Sequence, residues 1–133
     1  GINAYVVGET ISPSIHENDA IVAISGSGST NSIVTPVKTA KKRGAKILSL
    51  TSYPDSELGQ ISDCVFLVKG RTKIDMEDDY IKRQIKGDYS SLTPLGTAFE
   101  LTSLIFLDGL VTVLMDTMGK TEGDLKDMHA NLE

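Results

Sequence analysis

Ser25-Gly26-Ser27-Gly28-Ser29-Thr30 is the densest group of chemically useful residues in the chain. It lies between an apolar run and a helix-like stretch. Two glycines let the backbone approach a ligand closely. The free N–H groups of a following helix start, with the helix dipole, favour an anion there. Ser25, Ser27 and Thr30 add neutral hydroxyls. The loop has no GxxxxGK[ST] and no GxGxxG spacing, so it is neither a nucleoside triphosphate loop nor a dinucleotide fingerprint. A hydroxyl-rich loop without a fixed cation suits a phosphate monoester on a small molecule. The competing reading is a Gly/Ser connection whose hydroxyls only cap the helix.

Glu100 is the second chemical signal. It lies in a stretch that is apolar almost all round, from Leu95 through Leu114. A carboxylate there is costly unless paired or used. Thr93, Thr97 and Glu100 are spaced i, i+4, i+7 and share one stripe. Burial would move the carboxyl toward the range of a general base. A partly exposed Glu bridging to a basic side chain fits the pattern equally well. Of the two histidines, His16 lies in a polar connection and reads as surface. His129 sits near the chain end and acts only if that tail docks over a pocket, its own or a neighbour's. Cys64 opens a strand and reads as a small buried hydrophobe. Asp75, Glu77, Asp78 and Asp79 match no calcium-loop spacing and read as solvated surface.

These residues must be held by a modest chain. It has 133 residues, 40% hydrophobic and 23% charged, with no Trp. That suits one soluble domain, which hides roughly two-thirds of its unfolded surface. The net charge is −5, which argues against a nucleic-acid partner. One Cys excludes an internal disulfide and fits a reducing cytoplasm. No signal segment is expected, nor any run of about 18 apolar residues to span a membrane.

The elements follow from pattern. Residues 4–7 form a short β-type run. Residues 20–24 are a continuous apolar run, the mark of a strand buried on both faces. A helix is expected from Asn31 to Arg43, stopped by Gly44. Residues 46–50 form the next strand. A short helix runs to Ile61 with Asp55 as N-cap, and a strand spans Cys64 to Val68. Residues 69–92 read as a polar loop. A long helix runs from Pro94 to Met118, and a last short one from Glu122 to His129, capped by Thr121. Alternating strands and helices define an α/β fold with a parallel sheet, which binds ligands at the carboxyl ends of its strands.

Together these segments resemble the sugar isomerase (SIS) domain family, and within it the members that act on hexulose phosphates. The likeness rests on Tyr5-Val-Val-Gly-Glu9, Ile24 to Thr30, Leu50-Thr-Ser52 with Pro54-Asp-Ser56, Gly70-Arg-Thr-Lys73, Leu92-Thr-Pro-Leu-Gly-Thr97 with Phe99-Glu100, Gly119-Lys-Thr-Glu122 and His129-Ala-Asn-Leu-Glu133. It covers essentially the whole chain. The resemblance implies a three-layer α-β-α domain with a parallel, flavodoxin-like, five-stranded sheet, assembled as a dimer of dimers. It implies isomerisation of 3-hexulose 6-phosphate to fructose 6-phosphate in the ribulose monophosphate route, in the cytoplasm and without a cofactor or metal. By that likeness Ser25, Ser27 and Thr30 hold the phosphate and Ser52 adds to the pocket. Glu100 is the base and His129 a candidate acid. Family members begin with helices and a first strand ending in a Gly-rich loop. By that comparison residues 1–133 are a single SIS domain incomplete at its N-terminus.

Moving a carbonyl from C3 to C2 needs one base to take a proton and return it to the neighbouring carbon. It also needs donors that steady the enediolate oxygens. Remote phosphate binding would position the sugar for that base. A reading from another class is a non-catalytic phosphosugar-sensing module. No DNA-binding segment is visible to favour it.

Overall fold

The computed structural model describes residues 2–70, 96–127 and 129. Three parallel strands are ordered β1 (Ala20–Ile24), β2 (Lys46–Thr51), β3 (Cys64–Leu67). Their register sets Ile24, Leu50 and Phe66 side by side. Between them lie α1 (Asn31–Lys42) and α2 (Glu57–Ile61). After β3 come α3 (Thr97–Thr117) and α4 (Glu122–Asp127). The expected three-layer α/β architecture is present, with helices on both faces of a parallel sheet.

The period-2 alternation of β2 builds both layers. Ile47 meets Ala23, the Val34, Val37 and Ala40 stripe of α1, and Leu58 of α2. Leu50 faces the other way, with Val68 and Phe99, and Phe66, Phe106 and Leu107 packed around them. Phe66 and Phe106 meet as a tilted pair with ring centroids 5.0 Å apart. Ile47, Leu50 and Leu58 are fully buried. Each contributes about 1.5–3 kcal/mol by leaving water.

The stop of α1 is a Schellman motif. Gly44 has φ +86°, its N–H bonds Lys41 O at 3.1 Å, and Ala45 N–H bonds Ala40 O at 3.2 Å. A second tie crosses this corner. Asp63 accepts from Lys41 Nζ and from Ile47 N–H, each at 2.8 Å. Those bonds, the lysine's first, hold its carboxyl below the usual carboxylate range. At the far end, Thr121 Oγ1 accepts from Asp124 N–H at 3.3 Å, and Asp124 accepts from Thr121 N–H at 2.8 Å. This reciprocal box confirms Thr121 as the start of α4.

Several expectations are corrected. Residues 4–7 are exposed and not a strand, since a strand needs a hydrogen-bonded neighbour and they have none in the described sheet. The N-cap of α2 is Ser56, not Asp55. Its Oγ accepts from Gly59 N–H at 3.3 Å. β1 is an outer strand, with Val22 51% exposed. Cys64 is exposed, at the start of β3, the opposite outer strand among the described residues. The helix expected from Pro94 is described from Thr97. Pro94, Thr93 and the acidic residues 75–79 lie outside the described residues. By length and composition α3 would suffice to cross a membrane, contrary to the sequence reading. Its Phe99, Phe106 and Leu107 stripe packs on the sheet as a domain helix does. Its other faces leave Leu104 and Ile105 63% and 73% exposed.

Candidate functional site

The carboxyl ends of β1 and β2 lie side by side, so the segments that leave them meet. The ladder runs on past β1, with Ser25 N–H donating to Leu50 O at 3.0 Å. The chain then turns sharply. Gly28 N–H bonds both the carbonyl of Ser25 at 3.0 Å and its hydroxyl at 3.1 Å. Gly28 takes φ +63° to do so, a conformation that costs other residues energy.

This turn gathers the hydroxyls expected to hold an anion. Ser25 Oγ and Thr30 Oγ1 are 3.2 Å apart, and Ser27 Oγ and Thr30 Oγ1 are 3.4 Å apart. Ser29 Oγ adds to the group, donating to Ser27 Oγ at 3.2 Å. Ser25 is buried, Ser27 is half-buried and Thr30 is exposed, so the cluster grades from core to surface. Thr30 is the N-cap of α1, yet its side chain makes no cap hydrogen bond. The reading in which these hydroxyls merely cap the helix therefore fails at its central residue. Ile33 N–H bonds Thr30 O at 2.9 Å, which leaves the Asn31 and Ser32 amides to other acceptors, and α1 has no acidic residue in its first turn.

Ser52 joins this group from β2. Its N–H donates to Gly26 O at 3.0 Å. Its hydroxyl donates to Val68 O at 2.7 Å, which leaves its oxygen with acceptor capacity only.

Glu100 stands on the next element. α3 begins against the end of the β3 segment, because Gly70 has no side chain. A Cβ there would sit 2.6 Å from Phe99 Cβ. The start of α3 is thus seated at the carboxyl edge of the sheet. Gly96, with φ +88°, forms its N-cap. Glu100 lies one turn on, with its carboxylate folded back over Gly96. It is exposed, so of the two readings left open by the sequence the buried one fails. α3 presents one stripe to the sheet, and Glu100 is just off it. The burial argument for a base is removed, and a negative charge near a helix start is favourable in itself. His129 follows α4, which carries no buried residue. It is exposed, with its N–H donating to Lys126 O at 3.2 Å. The structure therefore brings the hydroxyls of Ser25, Ser27 and Thr30 together, ties Ser52 to the loop through its backbone N–H, and sets Glu100 and His129 on separate elements. His16 sits in an exposed turn, its N–H bonded to Asp19 Oδ2 at 2.7 Å.

Sequence reasoning missed Thr51 and Ser56. Thr51 is fully buried, and its hydroxyl donates to Gly26 O at 3.3 Å. Ser56 packs on Gly28. The available signal was the positive-φ requirement at Gly28, which implies a close neighbour, though not which one.

Comparison with known proteins follows the same lines. The SIS domain matches residues 3–81, and the chain belongs to that family. It is 53% identical over 133 residues to an uncharacterized protein of Aeropyrum pernix, of which it spans 63% of the length. It is 36% identical to a 3-hexulose-6-phosphate isomerase of Methylomonas aminofaciens, over all of this chain and 67% of that one. A solved structure from Methanococcus jannaschii, for which a function of 3-hexulose-6-phosphate isomerase was inferred, superposes with TM-score 0.78 at 29% identity. That match covers 100% of this chain and 65% of the other.

Proposed function

We propose that the protein is a phosphosugar isomerase that interconverts 3-hexulose 6-phosphate and fructose 6-phosphate through an enediolate. One observation carries the phosphate half of this reading. Ser25, Ser27 and Thr30 cluster their hydroxyls at the start of α1, and Thr30 leaves the helix cap unmade. A phosphate monoester there would receive hydroxyl and amide hydrogen bonds together with the favourable end of the helix dipole. Ser52 borders the same loop. The named relatives support the choice of hexulose phosphate.

In the reaction a base takes the proton from C2 of the hexulose and the C3 carbonyl oxygen gains one. The proton then goes back to C3 as the C2 oxygen becomes the carbonyl. Glu100 is the base in this proposal and His129 a candidate acid. Each sits on its own element, and an exposed carboxylate needs the bound sugar to dry its surroundings before it acts well. The proposal includes a cytoplasmic homo-oligomer, a dimer of dimers, with α3 in the contact. No cofactor is part of it.

The exposure of Glu100 favours a second reading, a module that binds phosphosugar without turning it over. Incubation of the intact protein with 3-hexulose 6-phosphate separates the two. Formation of fructose 6-phosphate supports the isomerase. Tight binding of fructose 6-phosphate with no turnover supports the module and rejects the isomerase.

A further inference from the structure

Hydrogen bonds inside the Ser25–Thr30 loop do not by themselves fix which way its peptide groups face. That orientation decides whether an anion meets amide hydrogens or carbonyl oxygens. The deciding contacts come from outside the loop. Gly26 O accepts two hydrogen bonds, from Thr51 Oγ1 at 3.3 Å and from Ser52 N–H at 3.0 Å. The peptide is planar and trans, so the N–H of Ser27 points opposite to the Gly26 carbonyl. Two donors on the β2 side therefore turn the Ser27 amide away from β2 and into the loop. Gly28 O is held likewise by Leu58 N–H at 2.9 Å, and the Ser29 amide opposite it donates to Ser27 Oγ at 3.3 Å. The Ser27 N–H, turned into the loop, is a donor for an anion bound there.

Thr51 has no donor left for an anion. It is fully buried, its hydroxyl donates to Gly26 O, and its oxygen accepts from Tyr53 N–H at 3.2 Å. It also stands 3.0 Å from the place a Cβ on Gly28 would occupy, so it touches both glycines of the loop. We propose that Thr51 is the positioning residue of the anion loop, holding the Gly26–Ser27 peptide so that the Ser27 amide faces the phosphate. This inference rests on the phosphate reading above.

The test compares Thr51→Val, which keeps the shape and removes the hydroxyl, with Thr51→Ser, which keeps the hydroxyl. Calorimetry on the intact protein measures affinity for inorganic phosphate and fructose 6-phosphate, and hydrogen exchange reports the Ser52 amide. Thr51→Val is expected to weaken both ligands about five- to tenfold, the scale of one buried hydrogen bond. Turnover at saturating substrate should stay within about twofold of wild type, since the loop positions but does not react. Ser52 exchange should accelerate, and Thr51→Ser should restore affinity. Thr51→Ala serves the same comparison if the valine variant does not fold. Wild-type affinity in Thr51→Val, or equal losses in Val and Ser, would overturn the inference alone. A wild-type protein that binds neither ligand overturns the phosphate reading and this inference with it.

Discussion

Ser56 stands in the space that a side chain on Gly28 would need. The loop after β1 and the start of α2 thus fit each other only as glycine against serine. Gly28→Ala meets two penalties, the positive φ and the collision. It is expected to lower stability by about 1–3 kcal/mol and to abolish measurable phosphosugar binding. Ser56→Gly on top of it should recover part of both losses, because glycine is nearly as good an N-cap as serine. Thermal unfolding and calorimetry on the four proteins of this cycle give the coupling. Simple additivity of the two changes would show that the contact does not matter.

Glu100→Gln keeps size and hydrogen bonding and removes the base. Turnover of hexulose phosphate is expected to fall roughly a hundredfold or more. Affinity for fructose 6-phosphate should change little, since the phosphate is held by another element. Steady-state kinetics beside calorimetry check both. An unchanged rate makes Glu100 a helix-start charge and leaves His129 as the next candidate.

Asp63 gives a pH signature. Its carboxyl is lowered from 3.8 by the bonds from Lys41 and Ile47. A depressed native value means that the carboxylate form is the one folding favours. That contribution is fully present above the unfolded value and is lost as pH falls through the native one. Asp63→Asn should therefore be less stable than wild type at pH 7. The gap should close in acid, as denaturant melts between pH 7 and pH 3 would show. A gap that widens in acid would contradict the assignment.

The exposed face of α3 makes the remaining prediction. Ile105 and Leu104 sit in open water in the single chain, and contiguous apolar surface of this kind marks a contact. Sedimentation at micromolar concentration should show a species larger than one chain. Ile105→Glu should shift it toward monomer with the sheet intact by circular dichroism. A wild-type monomer would sink the dimer-of-dimers proposal.

The sheet was legible because its strands carry unmistakable signals. Ala20–Ile24, Lys46–Thr51 and Cys64–Leu67 are short apolar runs, the first two ended by serine and the third by Lys69-Gly70, and Gly44 and Thr121 announce a helix stop and start. Residues 4–7 have the same local composition but no neighbour, and composition alone does not report pairing. Ser25, Ser27 and Thr30 were legible because a loop is contiguous in sequence. Thr51 and Ser56 were not, since their roles depend on the segment after β2 crossing the one after β1. The exposure of Glu100 was left open for a related reason. An apolar helix says that much of its surface seeks cover, not which stripe its own chain covers.

Phe99 rests on Gly70, so the chain leaves the sheet and rejoins it at nearly one point. The two ends of whatever joins them are therefore fixed by the fold, while the length between them is not. Closing a loop costs entropy that grows only with the logarithm of its length, about 0.6 kcal/mol for each doubling. Insertions and deletions there are therefore cheap for the sheet, while both ends stay anchored at its carboxyl edge. The same scaffold can thus carry connections of different size between these two anchors without renegotiating its core.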